Sequence, residues 1–454
     1  MLRDIGDILP AKPEASEKAL PLEEFKERRA RFLKELNGAV AIFPSAPVAF
    51  RSNDVEFVYR QDSDFYYLTG FPEPESIALF APGHPDGEFI LFVRPRDKER
   101  EMWTGPRAGV EGAVAEFGAA QAYQISELDR VLPRYLEGVA EVYYPLGINE
   151  KFDQKVLKLL REAQSLRERL GEGPRALLDP RAIVHEMRII KSPRELAIMR
   201  RSAAIAAEAH RVAISKSRPG MMEWEIQALV EYVFRVNGAS SPAYPPIVAS
   251  GPNATILHYI ANNRELKPGD LLLLDAGCEY QFYASDITRT FPVSGRFTPC
   301  QRDLYEIVLA AQRAAIETVR PGVTLEDVHR SALKELVEGM RAMGLIKGET
   351  DEILASGEYK RFYMHRTSHW LGMDVHDVGR YRIRGEPRKL EPGMVLTVEP
   401  GIYIAPAEES VAKAELQGIG IRIEDDVLVS ADGYEVLTAA VPKTVKELEA
   451  LAGS

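Results

Sequence analysis

The stretch "DLLLLDAGCEYQFYASDITRTF", residues 270–291, contains the pattern that decides the fold. Four leucines lead into Asp275, and after a short link a second run of strand-forming residues carries Asp286. A hairpin with its turn centred on Tyr280 and Gln281 would place the two aspartates directly opposite each other, with Cβ atoms ~5 Å apart. Two carboxylates at that distance repel each other, so the pair predicts a bound cation.

Two further apolar runs deliver carboxylates. "GMVLTVEPGIYI", residues 393–404, presents Glu399 just before a Pro-Gly pair, and "GIGIRIEDDVLV", residues 418–429, carries Arg422 and Glu424. Because side chains alternate along a strand, Arg422 and Glu424 are expected on one face and the isoleucines on the other. A single carboxylate at a strand end most often caps a turn. Four of them on separate buried strands favour one interior site, since isolated buried carboxylates have to be paired, protonated or metal-bound.

Histidines cluster in "FYMHRTSHWLGMDVHDVG", residues 362–379, which holds His365, His369 and His376 of only eight histidines in the chain. His258 follows a loop of small residues. Neutral imidazole binds metals and transfers protons near neutral pH, so the clustering points to chemistry. The four-residue spacing of the first two histidines would share a helix face, but a loop or strand fits this segment equally well.

Four carboxylates and one imidazole form a mainly oxygen-donor set. Such ligands favour a pair of Mn, Mg, Co or Zn ions over one thiolate-bound zinc. Two divalent ions and a bridging hydroxide would leave one negative charge on this set, which Arg422 can offset while it orients a ligand carboxylate.

Composition limits the remaining possibilities. At 454 residues, two domains are expected, and 45% apolar with 28% charged residues is typical of a globular protein. The net charge of −11 and the lack of a Lys/Arg-rich run argue against nucleic-acid binding. Acidic residues near the N-terminus and the lack of a run of about 18 apolar residues predict a cytoplasmic protein without a membrane span. Cys278 and Cys300 are expected to be reduced.

Periodicity predicts an α/β or α+β architecture with a domain boundary near residues 172–180, where Gly and Pro punctuate the chain. The first part is expected to mix helices with strands, among them residues 39–43, 65–71, 76–82 and 88–95. The second part alternates short apolar strands with long helices, predicted over residues 193–217, 222–237, 298–319 and 325–343. Ser192 and Glu195 form a capping-box signature before the first of these helices.

At this point the sequence resembles the bacterial aminopeptidase P (Xaa-Pro aminopeptidase) members of the M24 metallopeptidases. The blocks that carry the resemblance are "LLLLDAGCEYQFYASDITRTFPV", "SHWLGMDVHDVG", "LTVEPGIYIAP" and "GIGIRIEDD", joined in the first domain by "YRQDSDFYYLTGF" and "HEMRIIKSP". The resemblance implies a creatinase-like α/β domain over residues 1–176. It also implies a pita-bread catalytic domain over residues 177–454.

The resemblance also implies residue roles. By position, the metal ligands are Asp275, Asp286, His369, Glu399 and Glu424, with Asp286 and Glu424 bridging two divalent ions, Mn²⁺ first and Co²⁺ or Zn²⁺ as alternatives. Glu399 doubles as the proton shuttle, and the residues that match substrate and transition-state positions are His258, His365 and His376. Tyr403 and Arg422 match supporting positions. Trp103 resembles an element that approaches a neighbouring subunit's active site, which implies a homodimer or homotetramer.

The implied reaction is hydrolysis of the bond between an N-terminal residue and a following proline in a peptide, with no nucleic-acid or membrane partner. A prolidase, which cleaves Xaa-Pro dipeptides with the same metal ligands, is the nearest alternative. A methionine aminopeptidase would not need the large first domain, and a metal-free binding protein with this fold would have lost ligands.

One position departs from the family pattern. Related bacterial sequences usually read Gly-Leu after the first histidine of the block, where this chain has Arg366 and Thr367. Arg366 either reaches solvent and pairs with a surface carboxylate, or binds a peptide carboxylate on the leaving-group side. The expectation is that peptides longer than dipeptides are cleaved better.

Overall fold

The computed structural model describes residues 20–170, 173–408 and 414–452. They divide into two compact units, within Lys18–Met187 and Arg188–Ser454. The division falls after the 176/177 boundary expected from the sequence, inside a helix that begins at Arg181. Among the described residues, every helix is too short or too polar to cross a membrane.

The N-terminal unit has one mixed sheet flanked by helices. Its strands are β1 (Val40–Pro44), β2 (Phe50–Ser52), β3 (Val55–Glu56), β4 (Ile77–Phe80), β5 (Phe89–Val93), β6 (Gln121–Gln124), β7 (Glu141–Tyr143) and β8 (Ala176–Leu178). Its helices are α1 (Leu22–Glu35), α2 (Ser63–Thr69), α3 (Lys98–Thr104), α4 (Gly109–Ala115), α5 (Leu128–Tyr135), α6 (Glu150–Leu170) and α7 (Arg181–Ile189), whose last two residues belong to the C-terminal unit. Six strands form the sheet in the order β6-β5-β4-β1-β7-β8, while β2 and β3 form a separate hairpin.

The aromatic segment 65–71, expected as a strand, is a helix instead. Asp62 accepts a hydrogen bond from the backbone amide of Phe65 at 2.8 Å and so caps the N-terminus of α2. Gly70 ends the helix in the left-handed conformation with φ 67°. These two end signals outweigh the strand preference of the aromatic residues between them.

The C-terminal unit combines helices with small sheets. Its helices are α8 (Pro193–Lys216), α9 (Glu223–Val236), α10 (Pro299–Thr318), α11 (Leu325–Ala342), α12 (Thr350–Ser356) and α13 (Val445–Ala452). Its strands are β9 (Ser241–Pro242), β10 (Ile247–Ser250), β11 (Leu271–Asp275), β12 (Cys278–Tyr280), β13 (Tyr283–Ala284), β14 (Thr288–Pro292), β15 (Arg382–Ile383), β16 (Glu386–Pro387), β17 (Val395–Val398), β18 (Gly401–Ile404), β19 (Ile419–Arg422), β20 (Asp425–Val429) and β21 (Tyr434–Val436). The sheets are β10-β11-β14, β13-β12-β9, β17-β20-β21, β18-β19 and β15-β16. All four long helices predicted from periodicity are present, and the capping box of Ser192 and Glu195 forms.

The predicted register of the central hairpin is wrong by two residues. Asp275 pairs with Thr288, and the same register continues to Tyr280 and Tyr283. The turn therefore consists of Gln281 and Phe282, both with positive φ (49° and 71°), which is the geometry of a type I′ hairpin turn. A shift of two residues keeps every side chain on its original face, so the site prediction survives the error.

The run 418–429 forms two strands rather than one. β19 pairs with β18 and ends at Arg422, while β20 begins at Asp425 and pairs with β17. Glu424 therefore lies at the break between two sheets, where it is not committed to either ladder.

Candidate active site

The ends of β11 and β14 hold the first two carboxylates. Asp275 is the last residue of β11, and Asp286 lies two residues before β14; both are buried. The hydroxyl of Tyr244 lies 2.6 Å from Oδ1 of Asp275 and 2.5 Å from Oδ1 of Asp286. One phenol thus contacts both aspartates and fixes their separation. Burial and the two carboxylate charges raise the pKa of Tyr244 well above its usual value, so it stays protonated as a donor.

Glu424 joins this pair through Thr288. The Thr288 hydroxyl donates to Oε2 of Glu424 at 2.6 Å, and the Glu424 amide donates to the Thr288 carbonyl at 3.0 Å. Arg422 lies beside them and donates to Oδ2 of Asp275 at 2.5 Å and to the hydroxyl of Tyr403 at 2.9 Å. The buried arginine and carboxylate predicted from one strand therefore do converge, although the strand is broken between them.

His369 and Glu399 close the cluster. Nε2 of His369 lies 3.4 Å from Oδ2 of Asp286 and 3.5 Å from Oε1 of Glu399. Its Nδ1 lies 3.0 Å from the carbonyl of Trp370, a contact that keeps a proton on Nδ1 and so leaves Nε2 as the nitrogen that would bind a metal. Asp286, His369 and Glu424 each offer a ligand atom within 4.8 Å of the others. His365 to His369 lies in a loop, which resolves the open choice between helix, strand and loop.

The electrostatics of these residues fit divalent cations. Burial, together with Asp286 and Asp275, raises the pKa of Glu399 to about 7 against the pull of His369 and Arg422. Burial and neighbouring carboxylates also raise the pKa values of Asp275 and Glu424. Burial lowers the pKa of His369, but Asp286 and Glu399 outweigh it and raise that pKa to about 9. The cluster thus concentrates more negative charge than Arg422 offsets, and its oxygen-rich donors suit hard divalent ions.

The other predicted histidines surround this cluster. Nε2 of His365 lies 2.9 Å from the Tyr403 hydroxyl and its Nδ1 lies 3.7 Å from Oε2 of Glu399. The exposed ring of His376 lies 4.4 Å, centroid to centroid, from that of His369. His258 is exposed in the loop that follows Gly251–Thr255. Burial lowers the pKa of His365 to about 4, so this imidazole is neutral at pH 7.

A buried ion network anchors the loop that presents His376. Arg188 donates to Asp374 at 2.7 Å and to Asp377 at 2.6 Å, and Lys191 donates to the other oxygen of Asp377 at 3.0 Å. Arg188, Lys191 and Asp377 are nearly inaccessible to solvent. Arg188 and Lys191 both belong to the segment "HEMRIIKSP". Through their contacts with Asp377, these two cations hold the loop position that follows His376.

Several contacting residues were not predicted from the sequence. Tyr244 lies in a Pro-rich segment before β10, without a spacing that relates it to the aspartates. Thr367 is fully buried; its hydroxyl lies 2.7 Å from both Nδ1 of His329 and the Tyr363 hydroxyl, while its carbonyl accepts the Glu399 amide at 2.8 Å. The tertiary fold brings Tyr244 to the two aspartates, and it brings His329 to Thr367, which lies two residues before His369.

The two remaining predicted residues are exposed. Trp103 lies on α3 of the N-terminal unit and is 86% exposed. Arg366 lies in the C-terminal unit, where its Nη2 is 3.9 Å from Oε1 of Glu326.

Comparison with known proteins gives consistent matches in both units. The profile described as "Metallopeptidase family M24" matches residues 197–431, and the one described as "Aminopeptidase P, N-terminal domain" matches residues 25–143. The chain is 43% identical to the Xaa-Pro aminopeptidase of Escherichia coli (strain K12) over 431 residues, which covers 94% of this chain and 97% of that protein.

Solved structures agree. The structure of Pseudomonas aeruginosa aminopeptidase PepP superposes with a TM-score of 0.94 at 49% identity and covers 96% of this chain and 98% of that one. Zinc-substituted Escherichia coli aminopeptidase P in complex with product matches with a TM-score of 0.92 at 42% identity, covering 96% and 99%. The predicted fold class, a pita-bread unit preceded by a creatinase-like α/β domain, is confirmed.

Proposed function

The chain belongs to metallopeptidase family M24, and we infer that it is an Xaa-Pro aminopeptidase that hydrolyses the bond between an N-terminal residue and a following proline. The observation that carries this inference is the similarity to an Xaa-Pro aminopeptidase through both domains. A match confined to the second domain would leave other M24 substrates open. The match of the first domain is therefore what favours an Xaa-Pro aminopeptidase over other M24 peptidases.

We propose that two divalent ions complete the site and that Mn²⁺ is the native metal. The residues that would hold these ions are Asp275, Asp286, His369, Glu399 and Glu424, of which Asp286, His369 and Glu424 offer ligand atoms within 4.8 Å of one another. Co²⁺ and Zn²⁺ suit the same donors. When bound, such ions would lower the pKa of a water and polarise the scissile carbonyl.

The proposed roles of the other residues follow from their positions. Glu399 takes the proton released from the attacking water and transfers it to the leaving proline nitrogen. We assign to His258 and to His376, whose ring lies 4.4 Å from that of His369, the orientation of the substrate and the stabilisation of the developing oxyanion. His365 lines the proline side. Tyr403 and Arg422 hold Asp275 and His365 in place.

We also propose a cytoplasmic homo-oligomer, a dimer or a tetramer, in which Trp103 meets a neighbouring subunit's substrate. Cys278 and Cys300 do not form a disulfide with each other, as expected in a reducing compartment. Met102 and Trp103 are 82% and 86% exposed, and adjacent large apolar side chains of this exposure suit an interface.

The test uses purified protein that is stripped with a chelator and reloaded with Mn²⁺, Co²⁺ or Zn²⁺. Its substrates are a dipeptide, a tripeptide and a pentapeptide that share one Xaa-Pro start, with an Xaa-Ala tripeptide as control. We expect the stripped protein to be inactive, Mn²⁺ to restore activity best, and kcat/KM to be higher for the longer proline peptides than for the dipeptide.

Two results would contradict the proposal. Full activity in verified metal-free protein would remove the metal from the reaction. A dipeptide preference that disappears in Arg366→Ala would instead identify a prolidase-like enzyme, with Arg366 as the group that binds the dipeptide's carboxylate.

A further inference from the structure

A cavity of about 550 Å³ extends from the proposed metal site to the surface. His369 lines it beside the proposed metal site, and His376, Glu326, His329, Arg366 and Arg382 line the rest. Three separate elements supply the outer residues: the first turns of α11, the loop before His369, and the β15–β16 ribbon. The cavity therefore joins the catalytic cluster to a group of charged side chains that have no part in the proposed chemistry.

The outer end of the cavity carries an excess of positive charge. Glu326 faces two guanidinium groups through the same oxygen, at 3.9 Å from Nη2 of Arg366 and 3.4 Å from Nη2 of Arg382. One carboxylate shared by two arginines leaves a net charge of +1. His329 does not add to it, because burial and the charge of Arg366 lower its pKa to about 4.

Neither arginine is held as tightly as the structural arginines of this unit. Their contacts to Glu326 are longer than the 2.6 Å contact of Arg188 with Asp377, and their side chains are 67% and 50% exposed. Long and partly exposed ion pairs contribute little stability, so each arginine can turn to another anion at small cost. Arg366 is also the residue at which the chain departs from the family pattern.

The cavity suits the longer part of the substrate. An aminopeptidase accommodates one residue before the scissile bond and several after it, and a volume of about 550 Å³ lies within the range of small-ligand pockets. The opening beside His369 and His376 places a bound chain next to the proposed scissile position. The residue after the proline would then reach the outer, positively charged end.

We propose that Arg366 and Arg382 select substrates with a carboxylate on the residue that follows the proline, and that Glu326 limits this preference by competing for both arginines. The carboxylate is either an acidic side chain or the C-terminus of a tripeptide. This inference rests on the proposed function, whose peptides are its substrates.

The experiment compares kcat/KM of the Mn²⁺-loaded enzyme for tripeptides with one Xaa-Pro start and Glu, Gln or Lys in third place, each as free acid and as C-terminal amide. We expect Glu over Gln over Lys by roughly 2- to 5-fold per step, the range for partly exposed charge pairs. The Glu-Gln comparison within the amides isolates the side chain, and the acid-amide comparison for Gln isolates the C-terminus. At 1 M salt the differences should largely vanish, because the screening length falls to ~3 Å.

Variants of the three charged residues should change the preference for a carboxylate in opposite directions. Arg366→Gln and Arg382→Gln should reduce it, whereas Glu326→Gln should increase it by freeing both cations. Arg330→Gln is the matched control. Arg330 lies on α11, the helix that carries Glu326; it is 75% exposed, pairs with Asp327 and lies outside the cavity lining. Equal kcat/KM for all third residues, or a preference that none of the three variants alters, overturns the inference.

A binding measurement separates this inference from the proposed function. Calorimetric titration of the metal-loaded protein with the product dipeptides Pro-Glu and Pro-Lys reports the same selectivity without turnover. Tighter binding of Pro-Glu that weakens in Arg366→Gln supports the inference even if no Xaa-Pro peptide is cleaved. Hydrolysis of Xaa-Pro peptides with indifferent third residues supports the function and overturns the inference.

Discussion

The carboxylate of Glu399, whose side chain is 17% exposed, has to satisfy two demands. It lies 3.5 Å from Nε2 of His369, as a metal ligand should, and its pKa of about 7 suits proton transfer near neutral pH. Burial is the main cause of that pKa, and the neighbouring aspartates add to it. The backbone amide of Glu399 donates a hydrogen bond to the carbonyl of Thr367, which ties Glu399 to the loop before His369.

Glu399→Gln should therefore lose nearly all turnover and keep its fold. An amide cannot carry the proton, so we expect kcat to fall by ~10²–10⁴-fold, the usual size of a general acid-base contribution. Circular dichroism and metal analysis of the variant would show whether fold and metal persist. Glu391→Gln, at a side chain that is 57% exposed, is the control. A near-normal kcat would remove Glu399 from the mechanism.

The sequence predicts some residues of the site and gives no signal for others, such as Tyr244. The carboxylates and histidines were predicted because each follows an apolar run or clusters in one block, which is a local signal. Tyr244 contacts Asp275 and Asp286 from more than 30 positions away in the sequence, and no local pattern encodes that contact. The sequence alone does not distinguish this tyrosine from one that only packs against its neighbours.

At the scale of elements, local signals predicted helices better than strand pairing. α8 begins where Ser192 and Glu195 form a capping box, and both residues lie within one turn. The hairpin register depended instead on the turn at Gln281 and Phe282, neither of which is a usual residue for positive φ. Side-chain alternation still gave the right face, because the error was an even number of residues.

Strand β19 has a functional role that its pairing explains. Arg422 of β19 lies opposite Gly401 of β18. Its guanidinium donates hydrogen bonds to Asp275 on β11 and to Thr288 on β14. A side chain at Gly401 would collide with the Tyr403 hydroxyl at 2.6 Å, so glycine leaves room for the aromatic ring that Arg422 contacts. One arginine thus ties three strands around the proposed metal site.

Arg422→Ala should weaken metal retention by ~10- to 100-fold, the usual size of effects from groups that orient ligands. The metal affinity of Arg422→Lys should lie between those of the wild type and the alanine variant, because lysine keeps the charge but cannot reach Asp275, Tyr403 and Thr288 together. Competition with a chelator, followed by measurement of bound metal, gives both affinities. Unchanged metal affinity and activity in the alanine variant would mean that the arginine does not support the ligands.

At the scale of the whole molecule, the acidic cluster couples metal binding to stability. Raised carboxylate pKa values mean that the folded, metal-free protein binds protons more readily than the unfolded chain does. Stability should then fall as pH rises from the usual carboxylate value of 4.5 through about 7, where Glu399 ionises. His369 acts in the same direction, since its proton is retained up to about pH 9 against an ordinary value of 6.5.

We therefore expect the cluster to make the Tm of the metal-free protein fall between pH 5 and pH 8, while His329 and His365, whose lowered pKa values of about 4 favour folding at higher pH, act in the opposite direction. The contribution of the cluster is the part that metal loading and Glu399→Gln alter. Mn²⁺ should reverse this slope. Its ligands bind when deprotonated, so the stabilisation it provides grows with pH. Calorimetry of stripped and reloaded protein across this range measures both slopes. In Glu399→Gln the Tm of the stripped protein should fall less, or rise more, from pH 5 to pH 8 than in the wild type, since one of the groups with a raised pKa is gone. An unaltered slope in that variant, or equal slopes with and without Mn²⁺, would show that the cluster does not carry the charge assigned to it.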